Sequence, residues 1–315
     1  MDKFRRSWEL FKSSLYVMQQ HKKLLVFPIV TAALTIIITM LFIVPVAFQP
    51  TGYSYNSGKH WGKVVNTIYD ASSLDTHRNH HTRNELISGV KPLGLAYFAT
   101  MYFASMFCAT FFNVAFYSQI LSALGGGPVS IGDGLKFACS KWKQVFMWTA
   151  FAGLIGFIIR SLEQRFGIFG QIVMKFVGAA WSIACVFVIP VIVTDEEAVN
   201  PFKVLKKSAL TLTRTWGESL IGYAGVSLSG SILMLISFVW LAAGIFAAIA
   251  LHSWILGVLV FISWLGSIIL MSYVLSIASQ IFRCALFLYA SQGTLPEPYT
   301  HEMMELAWKV KKSRR

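Results

Sequence analysis

The sequence predicts an all-α, polytopic membrane protein with six transmembrane helices in three hairpins, each preceded by an amphipathic interfacial helix. Hydrophobic residues make up 56% of the chain and charged residues only 13%, and the mean hydropathy is +0.61. Soluble domains carry about 25% charged residues, so this composition favours a lipid environment. The number of apolar stretches predicts the six spans, and a basic segment that recurs three times predicts the three interfacial helices.

Six apolar stretches are close to the roughly 20 residues that a spanning helix needs. The last two adjoin between Gly217 and Ala290, and we divide them at the polar pair His252-Ser253. The six predicted spans cover residues 24–47, 93–121, 144–161, 170–193, 218–249 and 253–284. We expect a single membrane domain over 1–315, with an extracytoplasmic loop over 48–92 and a helical basic tail over 296–315.

The basic residues predict the orientation of these spans. The chain has a formal net charge of +13, and 19 of its 27 lysines and arginines fall on the side that holds both termini. Cytoplasmic loops carry the excess of basic residues in membrane proteins. Both termini are therefore expected in the cytoplasm, and attraction to anionic lipid headgroups accounts for the charge without nucleic acid.

Three basic segments share an apolar stripe at helical spacing. Tryptophan beside lysine or arginine at the start of a span is typical of an interfacial anchor. Specific lipid binding, a docking surface for a partner protein and anchoring alone all remain open. The stripes are Phe4, Trp8, Phe11 and Leu15, then Leu135, Cys139, Trp142 and Phe146, then Leu205, Ala209, Leu212 and Trp216, with Arg5, Arg6, Lys136, Lys206 and Lys207 beside them.

Two of these segments carry a signal for the start of a helix. The run Ser130-Ile-Gly-Asp has the spacing of a capping box. The pair Asn200-Pro201 places a capping side chain before a proline at the first helical position. Both segments are therefore predicted to be separate short helices that precede a span.

Several motifs along the chain are distinctive. They are Phe4-Arg-Arg-Ser-Trp-Glu-Leu-Phe-Lys, Leu24-Leu-Val-Phe-Pro-Ile, Gly125-Gly-Gly-Pro-Val-Ser-Ile-Gly-Asp-Gly-Leu, Arg160-Ser-Leu-Glu-Gln-Arg-Phe-Gly, Ala179-Ala-Trp-Ser, Val188-Ile-Pro-Val, Leu205-Lys-Lys-Ser, Thr215-Trp-Gly-Glu and Ile281-Phe-Arg-Cys-Ala-Leu-Phe-Leu-Tyr-Ala. With these motifs the chain resembles an uncharacterised prokaryotic family of six-span membrane proteins. The interfacial-helix-plus-hairpin plan is more loosely similar to the membrane domain of some glycerophosphodiester phosphodiesterases. The resemblance implies this architecture and a bacterial inner membrane, and it implies no activity.

The loop over 48–92 contains the one candidate metal site. His77 lies three residues before His80 and four before His81, so a helix would place them on one face, near Asp75. Histidine and carboxylate ligands suit a divalent metal. Arg78 and Arg83, in and just after this run, favour a solvated loop, and we expect no bound metal or cofactor.

Polar residues inside or beside the spans form two further candidate sets. Arg160, Glu163 and Lys175 lie at outer ends of spans, where they would form an anion or headgroup site, or snorkel to the interface. Asn113, Gln119 and Gln280 lie within spans. Hydrogen bonds between helices would explain them, and a transport path would need more such groups.

No catalytic motif occurs in the sequence. It has no Ser/His/Asp set, no H-E-x-x-H and no dinucleotide fingerprint, so we expect a protein that is not an enzyme. The favoured function is a scaffold or accessory subunit that binds anionic membrane lipids and a protein partner or a second copy of itself. The alternative is a translocator of lipid or a small solute, and a metal at the loop histidines would instead favour an enzyme acting on lipid.

Overall fold

In a computed structural model, residues 2–68, 92–165, 168–197, 199–214, 235 and 237–300 are described. Within these residues every regular element is a helix and none is a strand. The all-α prediction is therefore confirmed for this part of the chain. A short 3-10 turn, Lys22–Leu25, joins the first two helices. The helices, in chain order, are α1 Asp2–Gln20, α2 Val26–Ala47, α3 Gly58–Ile68, α4 Pro92–Leu124, α5 Ile131–Ser140, α6 Trp142–Arg165, α7 Ile168–Ala184, α8 Val188–Thr194, α9 Pro201–Arg214, α10 Ser237–Ala250 and α11 Trp254–Gln292.

Five stretches of the described residues are long and apolar enough to cross a membrane. A tight turn at residues 185–187 separates α7 from α8, and both helices belong to one of these stretches. The protein is thus a membrane protein, whereas the count of six spans in three hairpins stays a prediction. The predicted span 218–249 falls partly outside the described residues, which include only residue 235 and its portion in α10. The five stretches are Lys22–Ala47, Gly94–Leu124, Trp142–Glu163, Gly170–Thr194 and Trp254–Gln292.

The predicted division at His252-Ser253 is confirmed by the backbone between α10 and α11. His252 has a φ of 47°, outside the helical region, and the Ser253 hydroxyl accepts the Leu256 N–H at 3.3 Å as the N-cap of α11. Gly244 makes this hairpin tight, because a Cβ built on it would lie 2.4 Å from Cγ1 of Val260. Small residues allow helices to approach closely, and Gly244 serves that purpose in this hairpin.

The chain divides into two compact units. The first comprises Met1–Val26, Phe116–Asp133 and Lys207–Arg315, and the second comprises Phe27–Ala115 and Gly134–Lys206. In the first unit, α1 lies along α11. In the second, α6 lies along α7.

Candidate functional site

The first unit holds α1 through its apolar side. Phe11 and Ala278 are buried against each other, and Trp8 and Leu15 complete the contact from α1. The rings of Trp8 and Phe11 have centroids 5.5 Å apart. The predicted stripe of the first segment therefore packs on α11 over these residues. Arg5 and Arg6 lie in α1, and their side chains are outside the described part of the structure.

A buried hydrogen bond joins this helix to the segment that follows α11. The hydroxyls of Ser14 and Tyr299 lie 2.8 Å apart, and both residues are buried. The Ser14 hydroxyl also donates to the Leu10 carbonyl at 3.1 Å, so Tyr299 is the donor to Ser14 when both bonds form. Burial raises the pKa of the Tyr299 phenol above its ordinary value, although the bond to Ser14 opposes the rise. Just beyond α1, the Tyr273 hydroxyl donates to the Leu25 carbonyl.

Gln119 stabilises the glycine-rich turn after α4. Its Oε1 accepts the backbone N–H of Ser130 at 2.9 Å. The Ser122 hydroxyl donates to the Pro128 carbonyl at 3.0 Å, and a Cβ on Gly127 would lie 2.7 Å from that hydroxyl. Gln119 thus bonds to the turn that follows its own helix. The sequence predicted instead a hydrogen bond to another span.

The second predicted segment begins with half of its capping box. The Ser130 hydroxyl accepts the Asp133 N–H at 3.4 Å. The Ser130 N–H donates to Gln119, so the reciprocal half of the box is replaced. α5 then begins at Ile131, as the predicted start requires.

A cavity of about 590 Å³ lies in the first unit, where the end of α1, the glycine-rich turn and the segment after α11 meet. Its lining includes Tyr16, Gln20 and His21 from one side and Glu297 from another. Gly293, with a φ of 69°, ends α11 and turns the chain toward it. Residues 295–300 continue without a helix, and the rest of the predicted helical tail lies outside the described residues.

Lys141 is a lysine buried in the second unit. Only 8% of it is exposed, and its ammonium donates to the Asp195 carbonyl at 3.0 Å, at the C-terminal end of α8. It also lies 5.9 Å from the centre of the Phe137 ring. A cation at a helix C-terminus is stabilised by the carbonyls and by the helix dipole. This lysine, which sequence patterns did not single out, joins the α5–α6 boundary to the end of α8.

The neighbouring predicted interface residues remain on the surface. Lys136 is exposed on α5, and Trp142 is about half exposed at the start of α6. The Lys143 ammonium lies 5.9 Å from the Trp142 ring centre. The predicted stripe that ends at Phe146 therefore crosses two helices, α5 and α6. Lys141 is buried at the boundary between them, while Lys136, Trp142 and Lys143 beside it are exposed.

The third predicted segment forms α9, and its predicted cap is confirmed. The Asn200 side chain accepts backbone N–H groups of Phe202 at 3.0 Å and Lys203 at 3.4 Å. Lys206 and Lys207 are exposed. Phe202, which is 67% exposed, meets Phe151 of α6 with ring centroids 4.5 Å apart. Trp216, the last residue of the predicted stripe, lies outside the described residues.

Another buried polar group, His60, organises the segment after α2. His60 is fully buried; its Nδ1 lies 2.6 Å from the Thr51 hydroxyl and its Nε2 lies 3.0 Å from the Ala47 carbonyl. The ring also meets Tyr55 and Trp61 edge-on, at 4.9 and 5.2 Å. The imidazole therefore ties α3 back to the end of α2, within a loop that the sequence predicted to be solvated.

The other predicted polar residues are distributed over several helices. Arg160 and Glu163 lie one turn apart on α6, and Lys175 is exposed on α7. Asn113 is half-buried in α4, while Gln280 donates to the Ser276 hydroxyl at 3.5 Å on α11.

The candidate metal ligands His77, His80 and His81 lie outside the described residues. Within the described ranges, no three His, Cys, Asp or Glu residues are grouped closely enough to hold a metal.

A model for a family of unknown function (DUF6159) matches residues 93–296. No curated protein and no solved structure matches the chain. The matched region begins in α4 and ends four residues after α11, so α1, α2 and α3 precede it.

Proposed function

We propose that this chain, which belongs to the family of unknown function DUF6159, is a non-enzymatic scaffold or accessory subunit that binds anionic lipid and a partner protein. The family name supplies no activity, so the proposal depends on the interfacial helices. The bacterial cytoplasmic membrane, with both termini in the cytoplasm, is part of the same proposal. So is the absence of a resident cofactor, since the sequence carries no catalytic or cofactor motif.

The observation that carries the proposal is shared by α1, α5 and α9. Each buries apolar side chains, represented by Phe11, Ala138 and Leu212. Each also presents an exposed lysine, represented by Lys12, Lys136 and Lys206. Helices that are held by their apolar sides and carry lysines outward are suited to an acidic surface, and lipid headgroups provide one beside every span.

Native mass spectrometry of the full-length protein tests the lipid part. The apparent Kd would be measured for phosphatidylglycerol and for phosphatidylcholine, in the native protein and in Lys136→Gln/Lys206→Gln. A basic residue near an anionic surface contributes about 1 kcal/mol, so the double variant should bind phosphatidylglycerol roughly 30-fold more weakly. The matched control is Lys136→Arg/Lys206→Arg, which keeps both charges and should keep the affinity.

Equal affinity for the two lipids in the native protein would contradict the lipid part, and so would an unchanged Kd in the glutamine variant. The partner part is tested on nanodiscs formed directly from the protein's own membranes. A protein partner at fixed stoichiometry supports the accessory-subunit role, whereas a monomer that carries only defined lipids opposes it.

A translocator is the second candidate, and the cavity of about 590 Å³ in the first unit favours it. That volume is within the range of small-molecule sites, roughly 300–1,000 Å³. A fluorescent-lipid transfer assay in proteoliposomes would support this candidate if movement stops when the cavity is narrowed by Gly125→Trp. Transfer at the rate of protein-free vesicles would exclude it for that lipid.

A further inference from the structure

The helix α3 has an apolar face that the protein covers only in part. Its covered half consists of His60 and Val64, which are 0% and 6% exposed. The next positions around the helix, Trp61 and Val65, are about half exposed, at 49% and 50%. The remaining faces carry polar residues such as Lys59. Residues four apart lie on one side of a helix, so Trp61 and Val65 extend one continuous apolar stripe beyond the covered part.

The segment between α2 and α3 enlarges this uncovered surface. Phe48 and Tyr55 are exposed, with ring centroids 5.5 Å apart, and Tyr53 is also exposed. With Trp61 and Val65 they form what we call the aromatic patch. An exposed group of large apolar side chains indicates a surface that another phase or molecule covers.

Hydrogen bonds hold the aromatic patch in a defined shape. Trp61 donates its indole N–H to the Tyr55 carbonyl at 2.9 Å, so its polar atom is satisfied within the patch. His60 bonds to the Ala47 carbonyl at one nitrogen and to Thr51 at the other. The Lys63 ammonium donates to the Thr51 carbonyl at 3.0 Å and lies 5.5 Å from the Tyr53 ring centre. The patch is therefore built on the end of α2.

We infer that α3 is an interfacial anchor, whose aromatic patch lies in the lipid headgroup region of the membrane surface where α2 emerges. α2 has 22 residues, about 33 Å at 1.5 Å per residue, which matches a hydrocarbon core of about 30 Å. Its end at Ala47 therefore reaches the interface, and the His60–Ala47 bond keeps α3 there.

The composition of the patch identifies lipid as the occupant. Tryptophan and tyrosine concentrate at membrane interfaces, because an apolar ring enters the lipid while its polar atom stays among polar groups. Lysine on the far side of the helix suits the aqueous side of the same boundary. This anchor lies at the opposite end of α2 from Lys22 and Lys23, so it is distinct from the lysine-bearing helices of the proposed function.

Site-directed spin labelling of the full-length protein tests the inference. Labels would be placed by Trp61→Cys, by Val65→Cys and by Lys59→Cys in a chain whose four native cysteines are replaced by alanine. In lipid nanodiscs, collision with oxygen reports contact with lipid and collision with a water-soluble nickel chelate reports contact with water. We expect a several-fold higher oxygen-to-nickel ratio at positions 61 and 65 than at the control position 59.

Equal ratios at the three positions would overturn the inference, because a patch in water would give them. Low collision with both reagents at positions 61 and 65 would also overturn it, since a protein would then cover the patch. Two labels on the same face keep the test decisive if the tryptophan variant does not fold. Loss of the difference in His60→Ala/Lys59→Cys and His60→Ala/Val65→Cys would further support His60 as the residue that holds the anchor.

Discussion

At the residue scale, Ser14 and Tyr299 link the first helix to the segment after the last one. Both are buried, and their hydroxyls are 2.8 Å apart. A net contribution of about 1 kcal/mol is typical of such a bond. The bond therefore matters most for the docking of α1, which otherwise depends on the packing of Phe11 against Ala278.

The Tyr299 phenol should make this docking sensitive to alkaline pH. Its pKa is raised by burial, so folding is fully favoured below the ordinary value of 10.0 and loses stability as the pH rises above it, when the unfolded phenol ionises first. The difference in unfolding free energy between the native protein and Tyr299→Phe should change by about 1.4 kcal/mol per pH unit over that window. Thermal unfolding in detergent at several pH values measures it.

Tyr16→Phe is the control for this prediction, since Tyr16 is exposed and its hydroxyl accepts only from nearby Gln20 within the described contacts. It should leave the pH profile unchanged. Parallel pH profiles for the native protein and Tyr299→Phe would contradict the assigned role.

Neither Ser14 nor His60 could be recognised as important from the sequence. The partner of Ser14 is 285 residues away, and serine in a helix usually has a local role. His60 lies nine residues from Thr51 with no motif between them. Gln119, in contrast, was predicted as a buried polar group, and only its partner differed. A polar residue within an apolar stretch can be recognised from the sequence. Its hydrogen-bond partner cannot, because the partner depends on tertiary contacts.

At the element scale, the helices with the strongest sequence signals are those that the structure reproduces. Asn200 caps α9 and Ser253 caps α11, because capping depends on neighbours in the chain. The stripe from Leu135 to Phe146 was read as one element, yet it is divided at Lys141. α3 was read as loop, since its lysines, glycines and short length weaken the periodicity that identifies a helix.

The α10–α11 hairpin offers a test of close packing at one glycine. Gly244→Ala should destabilise the protein by about 1–3 kcal/mol, because its Cβ would lie 2.4 Å from Val260 Cγ1. Gly266→Ala on α11 is the matched control, as nothing lies within 4 Å of a Cβ there. Thermal unfolding in detergent compares the two. Similar unfolding midpoints for the two variants would contradict the prediction, because the helices would then move apart without loss of stability.

At the scale of the whole molecule, the distribution of basic residues predicts which side of the membrane each loop occupies. The 19 basic residues on the predicted cytoplasmic side include Lys12, and the eight on the other side include Lys59. Composition and hydropathy were sufficient to predict a helical membrane protein. The number of spans stays a prediction, because the span predicted over 218–249 is described only at residue 235 and in α10.

The orientation can be tested in intact cells with a membrane-impermeant maleimide. Lys59→Cys and Lys12→Cys, both exposed positions, would be introduced into the cysteine-free chain. We expect labelling at position 59 without lysis and labelling at position 12 only after lysis, because the basic side stays in the cytoplasm. Labelling of both positions in intact cells, or the reverse pattern, would refute the assigned topology.

The bond between Ser14 and Tyr299 also sets an order of events during synthesis. At roughly 5–20 residues per second, the ribosome needs roughly 15–60 s to add the 285 residues that separate them. α1 therefore leaves the ribosome long before its docking partner exists. Its apolar side, with Phe11 and Trp8, therefore has no partner from its own chain until α11 and Tyr299 have been synthesised.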